Sequence, residues 1–176
     1  MKKIISIIFL AFTFIGCSTT YINRNPIGEL FPKVTGESLE KIEMEIPKYF
    51  NNTKVILLLG YKQDSQFDID RWLIGLDMTK TKATVFEIPT IQGLFPRMFS
   101  TYIDEGMRRG IPKELWGGVI TIYRDGELVQ EFTGNENPNN TRVLALDENG
   151  KVMYFYDKGF SVSALNQLNI LFENQN

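Results

Sequence analysis

The groups that could do chemistry fall in three short stretches. The first is Asp64, Ser65, Asp68 and Asp70. On a helix, Asp64 and Asp68 would stand one turn apart on one face, where two carboxylates can hold a cation or poise a proton. Acids at a helix start are equally what the positive end of the helix dipole stabilises. A calcium loop is not indicated, because Ser65, Gln66 and Phe67 break the alternation of ligands and no glycine stands sixth. The second stretch is Arg108-Arg109, with Arg97 upstream and Lys113 downstream. Guanidinium forks pair bidentately with a carboxylate or an anionic headgroup, and cations also suit the negative end of a helix. The third is Tyr154-Phe155-Tyr156, which with Trp116 and Phe160 forms either an exposed aromatic patch or a strand covered on both faces.

The absences narrow the field. The 176 residues include no histidine and one cysteine, Cys17. A Ser-His-Asp triad, a Cys-His pair, an imidazole base, an internal disulfide and a Cys-x-x-Cys redox motif are all excluded. Gly117-Gly118 lacks the further glycines and the lysine of a phosphate-binding loop, so no nucleotide is expected. No cofactor or metal signature stands out, and none is expected. A pair of acids spaced for glycoside hydrolysis stays open, since spatial separation is not written in the sequence.

Cys17 sits at the end of a recognisable leader. Lys2 and Lys3 precede an apolar run over residues 4–15. As a helix that run would span about 18 Å, short of the roughly 30 Å of a bilayer core. It fits the apolar part of a secretory signal peptide. Phe14-Ile15-Gly16-Cys17 resembles a bacterial lipobox, in which the cysteine receives a diacylglyceryl group before cleavage; Phe14 replaces the usual leucine. The expected organisation is a signal peptide over 1–16, a lipidated polar tether over 17–25, and one domain over 26–176. Cleavage would remove Lys2 and Lys3, taking the 19 basic residues to 17 against 21 acidic and the formal charge from −2 to −4. That balance argues against nucleic acid as a partner and makes the lipid the membrane-holding element. Ser18 in place of Asp resembles the pattern that sorts lipoproteins to the outer membrane, facing the periplasm.

The elements that must position these groups follow from periodicity. Phe31 to Val34, a turn at Gly36, and the alternation of Ile42, Met44 and Ile46 predict a hairpin. Val55-Ile56-Leu57-Leu58-Leu59 reads as a central strand covered on both faces. Asp64 or Ser65 would cap a helix whose apolar face is Ile69, Trp72, Leu73 and Leu76. A strand over 83–88 completes a strand–helix–strand unit with parallel pairing. Phe95, Met98, Phe99 and Tyr102 repeat a helical spacing, loosened at its end by Gly106 and Gly110. Two hairpins are expected around Asp125-Gly126 and Asn149-Gly150, separated by a loop over 134–140. A last helix starting near Ser161 should turn Val162, Leu165, Leu168 and Phe172 inward.

This order resembles the thioredoxin fold in its peroxiredoxin and thiol-disulfide oxidoreductase forms, over roughly residues 26–172. Phe31-Pro32-Lys33-Val34 with Gly36 and Ile46-Pro47 is similar to the opening hairpin of those proteins. The stretch from Leu144 to Val152 resembles their strand–turn–strand, and Gly159-Phe160-Ser161 their final helix start. The implied fold class is α/β, a thioredoxin-like three-layer fold with a mixed central sheet. The resemblance places the redox cysteines of the family near Ser65 and Asp68, and its cis-proline near Thr141 or Gly118. None of these four residues is a cysteine or a proline. A narrower similarity, at residues 31–36, 57–63 and 68–72, is to the family of the mitochondrial ATP-synthase assembly factor.

The expected function is therefore a lipid-anchored envelope protein with a redox-inactive thioredoxin-like domain that binds a protein partner or assists assembly. Asp64, Ser65, Asp68, Arg108 and Arg109 are its candidate binding residues, and Cys17 its lipid attachment site. An acid-residue or metal-assisted enzyme at the same corner, and a purely structural envelope lipoprotein, are the alternatives. Arg108 and Arg109 are expected to lie in water.

Overall fold

A computed structural model of the protein describes residues 19–93 and 98–173. Cys17 and the expected signal peptide lie outside the described residues, as do Phe95, Pro96 and Arg97.

Strand β3 (Val55–Gly60) is buried along its whole length. Its odd-numbered apolar side chains, Leu57 and Leu59, enter one core with Ile46, Ile88, Val129 and Leu144. Its even-numbered ones, Ile56 and Leu58, enter a second core with Trp72, Leu165 and Phe172. A strand apolar at every position therefore sits between two layers, because alternate side chains leave opposite faces. β4 (Thr84–Pro89) pairs with it in parallel, and β6 (Arg142–Leu146) and β7 (Val152–Tyr156) extend the sheet antiparallel on the other side, in the order β4-β3-β6-β7.

Helix α1 (Gln66–Met78) makes the crossover from β3 to β4. Ile69, Trp72 and Leu76 are buried as expected, while Leu73 is exposed. Neither Asp64 nor Ser65 caps the helix. The Ser65 hydroxyl instead donates to the Lys62 carbonyl at 2.6 Å, closing a 3-10 turn over Gln63–Ser65. The last helix, α4 (Val162–Glu173), covers the same sheet face through Leu165, Leu168 and Phe172, with Val162 exposed.

A smaller sheet, in the order β2-β1-β5, comprises β1 (Val34–Ser38), β2 (Glu43–Ile46) and β5 (Ile120–Thr121). Isolated parallel bridges Glu87–Val119 and Thr90–Ile122 join it to the β4 edge. The expected turn at Gly36 is corrected: Gly36 lies inside β1 and the reversal comes at Lys41, with φ of 67°. A side chain at Gly36 would stand 2.6 Å from the Ile120 methyl, so glycine there serves strand contact, not a turn.

Two further expectations are corrected. Asp125-Gly126 opens no hairpin but helix α3 (Gly126–Thr133). Val129 and Phe132 point inward and Leu128 outward, a helical period that a strand reading of so short a run cannot exclude. Asp125 is recruited elsewhere: its carboxylate accepts the Thr35 amide of β1 at 2.9 Å. Helix α2 (Ser100–Gly110) forms, but Met98, Phe99 and Tyr102 face outward. The hairpin around Asn149-Gly150 stands as expected, with φ of 80° at Gly150.

The described residues of the expected tether are bonded to the domain. Residues 19–25 lie along the loop after α3. Tyr21 and Asn135 exchange bonds (Tyr21 N to Asn135 Oδ1 2.7 Å, Asn135 N to Tyr21 O 3.0 Å), and Asn23 and Glu136 do the same. Gly134, at φ of 76°, lets this segment pass: a Cβ there would meet Asn23 Cα at 2.2 Å.

Two glycine substitutions test the packing in opposite directions. A Cβ at Gly126 would lie 2.1 Å from the Ile91 carbonyl oxygen, whereas one at Gly106 meets nothing within 4 Å. In urea melts Gly126→Ala should cost about 3 kcal/mol, because backbone must move. Gly106→Ala should stabilise by about 0.5–1 kcal/mol, through helix propensity alone.

Candidate functional site

The corner at the carboxyl end of β3 is built by Gly60, the Lys62–Ser65 turn and the first turn of α1. Gly60 is small so that Ser65 can close over it: a Cβ at Gly60 would lie 2.7 Å from Ser65 Oγ and 3.0 Å from Ile69 Cδ1. Ser65 is 1% exposed and its hydroxyl proton is committed to Lys62 O. Asp64, one residue earlier, is exposed.

Asp68 is turned the other way. It is buried, and its two oxygens accept two backbone amides from distant parts of the chain: Thr141 N at 2.9 Å and Phe160 N at 2.7 Å. Thr141 precedes β6 and Phe160 precedes α4, so this carboxylate ties the start of α1 to both. Asp68 is thereby a cross-link between segments, with each of its oxygens engaged by one backbone amide. The carboxylates of Asp64 and Asp68 thus have different surroundings, and among the described residues no group of three or more His, Cys, Asp or Glu side chains could hold a metal ion. Thr141, where the resemblance puts a proline, is fully buried, and its Oγ1 has no protein hydrogen-bond partner.

Beside this corner lies a buried guanidinium. Arg142, the first residue of β6, is completely inaccessible. It stacks over the Tyr61 ring at 4.8 Å and donates to Gly134 O (3.3 Å), Asn137 O (2.5 Å), Asn140 O (2.8 Å) and Asn23 Oδ1 (3.3 Å). It holds the whole 134–140 loop and the N-terminal segment by neutral acceptors. Burial lowers its pKa, with Tyr61 and Asp157 opposing that shift. Tyr61 shares a 2.5 Å hydrogen bond with Thr133, and burial pushes its phenol up to about 12.

The basic pair separates. Arg109 is exposed, its Nε donating to Glu105 O at 3.1 Å. Arg108 is not in water: its side chain is 7% exposed, donates to Leu39 O at 2.7 Å, pairs with Glu105 at 2.8 Å and lies over the Trp116 ring. The expectation of a solvated Arg108 fails because α2 is fastened to the small sheet by polar groups. Tyr123 completes that attachment by donating to Asp104 Oδ1 at 2.8 Å. Burial raises the Asp104 pKa, although Tyr123 and Arg108 pull it down. The aromatic group also separates. Trp116 donates to Ile111 O, while Tyr156 and Phe160 pack edge-on against Trp72.

Three polar residues of consequence were absent from the sequence reading: Arg142, Asp104 and Glu87. Only Glu87 carried a usable signal, as an acid inside the apolar strand Thr84–Pro89. It is buried, and burial raises its pKa; a hydrogen bond from Gln66 opposes that shift and Asp70 adds to it.

Two outcomes follow. Asp68→Ala should cost about 2–4 kcal/mol in chemical melts, since two amides lose their acceptor, and Asp68→Asn less, as one oxygen remains. Glu87 has a folded pKa above its ordinary 4.5, so the native state binds the extra proton and stability falls as pH rises through that raised value. Glu87→Gln should therefore be more stable than the parent at neutral pH, and should lose less stability between mildly acidic and neutral pH in paired melts.

No protein-family model matches the sequence, and no curated protein matches it. Solved structures do. A thiol peroxidase from Chromobacterium violaceum is 13% identical with a TM-score of 0.60, covering 90% of this chain and 93% of its own. The thioredoxin domain of a thiol-disulfide oxidoreductase from Bacteroides vulgatus is 13% identical with a TM-score of 0.55, over 85% and 99% of the two chains. Yeast Sco1, solved with copper bound, is 10% identical with a TM-score of 0.55, over 87% and 96%. At such identities the likeness speaks for architecture: the chain has a thioredoxin-like α/β fold of the peroxiredoxin type, with a mixed central sheet.

Proposed function

We propose that this chain is an envelope lipoprotein, anchored through Cys17, whose thioredoxin-like domain binds a protein partner or assists assembly without thiol chemistry. The observation that carries the reading is the state of the β3–α1 corner. Its two candidate reactive positions, Ser65 and Asp68, are committed to intramolecular bonds. Beside them Phe67 is 71% exposed, and Ile74 and Met78 continue the exposed apolar face of α1. Thiol–disulfide exchange needs a thiolate and a resolving thiol. Cys17 is the sole sulfur nucleophile in the sequence, and a thioether to lipid would remove it. Copper is bound by thiolate, thioether and imidazole ligands, and residues 18–176 contain no thiol and no imidazole.

Native protein recovered from membranes should yield an N-terminal peptide beginning at a lipid-modified Cys17 by mass spectrometry, and Cys17→Ser should abolish it. An unmodified cysteine would defeat the anchored reading. The same protein should neither reduce insulin nor consume peroxide with thiol above buffer. A photocrosslinker at position 67 should join one defined protein that a crosslinker at Thr53, at the opposite end of β3, does not reach. Turnover of disulfide or peroxide would overturn the redox-inactive assignment.

A further inference from the structure

The described chain begins already fastened to the domain. Thr19 offers its carbonyl to Asn135 Nδ2 at 2.9 Å and to Gln92 Nε2 at 3.4 Å, and the next residues run along the 134–136 loop. Cys17 is two residues earlier, and two residues of extended chain reach about 7 Å. A lipid on Cys17 would thus hold this end of the domain at the bilayer, with no leash between them.

Exposed apolar side chains stand at the end of the sheet to which this segment is fastened. Gln92 follows the end of β4, and its neighbour Ile91 pairs with Ile122 (N to O 2.9 Å). Tyr123, next in sequence, donates to Ser100 O at 3.2 Å, so the start of α2 is tied to the same end of the sheet. There Met98, Phe99 and Tyr102 are 68%, 57% and 75% exposed. The three lie within five positions of one another at the amino end of α2, where Met98 and the cap residue Phe99 precede the helix proper. The opposite side of α2 is turned to the protein through Asp104 and Arg108. Ile22, in the fastened N-terminal segment itself, is also exposed.

We infer that Met98, Phe99 and Tyr102, at the start of α2, form a membrane-contact face that rests on the phospholipid surface into which the Cys17 lipid inserts. The inference rests on the anchored reading above and adds an orientation to it. The occupant is lipid because the anchor and the patch share one end of the molecule and the connecting chain is short. Apolar side chains at such an interface enter the headgroup boundary by roughly 5–10 Å, and their burial adds to the free energy of the acyl chains. The β3–β4 ends near Thr53 then face away from the bilayer.

The full chain carrying its lipid allows a direct measurement, because the modified Cys17 leaves an introduced thiol as the sole one to label. Nitroxides at Met98→Cys, Tyr102→Cys and, as control, Thr53→Cys are compared in vesicles of phosphatidylethanolamine and phosphatidylglycerol. Positions 98 and 102 should be severalfold less accessible to a water-soluble nickel chelate than position 53, and more accessible to oxygen. Phe99→Glu should restore nickel access at 98 while the protein stays in the membrane fraction. Equal access at 98 and 53, in protein whose lipid is verified by mass spectrometry, overturns the contact face and leaves the anchor standing. A free Cys17 overturns both. Protection at 98 that persists in soluble Cys17→Ser protein and rises with its concentration assigns the patch to a second copy of the chain and overturns the lipid contact.

Discussion

Everything in this molecule depends on burying strand β3 from both sides. Six consecutive positions without solvent require a layer above and a layer below, and the chain supplies them from different parts of its length. Helices α1 and α4 cover one face, while α3 and the opening hairpin cover the other. An isolated β3 would expose its apolar surface twice over, so the strand stays folded only as the sheet and its covers assemble together. The parallel step to β4 follows, since a return on the same side of the sheet needs a crossover helix.

The ends of β3 inherit their character from that arrangement. At its carboxyl end the neighbouring segments must be held by polar groups, because their backbones enter a buried region. Asp68 accepts two amides and Arg142 donates to three carbonyls, each satisfying groups that would otherwise be costly to bury. An arginine with neutral acceptors suits this task, since its planar fork spreads one charge over several bonds. The chain thus spends on architecture the positions at which the resemblance places redox cysteines. The fold remains, and the outer face of α1 keeps Phe67, Ile74 and Met78 exposed.

A second polar fastening explains the behaviour of α2. It lies against the small sheet through Asp104 and Arg108, with Trp116 as a platform beneath the guanidinium and Ile103 and Met107 half-buried, while Tyr102, Glu105 and Arg109 face outward. The contact of α2 with the body of the domain therefore runs through Asp104 and Arg108 rather than through a wide apolar stripe.

The sequence by itself determined the order of elements around β3, the α1 crossover, the β6–β7 hairpin and the final helix. Each is marked by local periodicity or a turn residue such as Gly150, and short-range patterns suffice for short-range structure. It also determined the absence of histidine and of any thiol after Cys17. Tertiary structure decided which way polar residues face. Gly36 reads locally as a turn but serves the close passage of Ile120, and Asp125-Gly126 reads as a hairpin but answers to Thr35 and Ile91. Asp68 looks like a helix-start acid until Thr141 and Phe160 arrive from far along the chain. Arg108 looks solvated until Leu39 and Trp116 close over it. Hydrogen-bond partners separated by dozens of residues leave no periodic trace, so only the folded chain reveals what those side chains do.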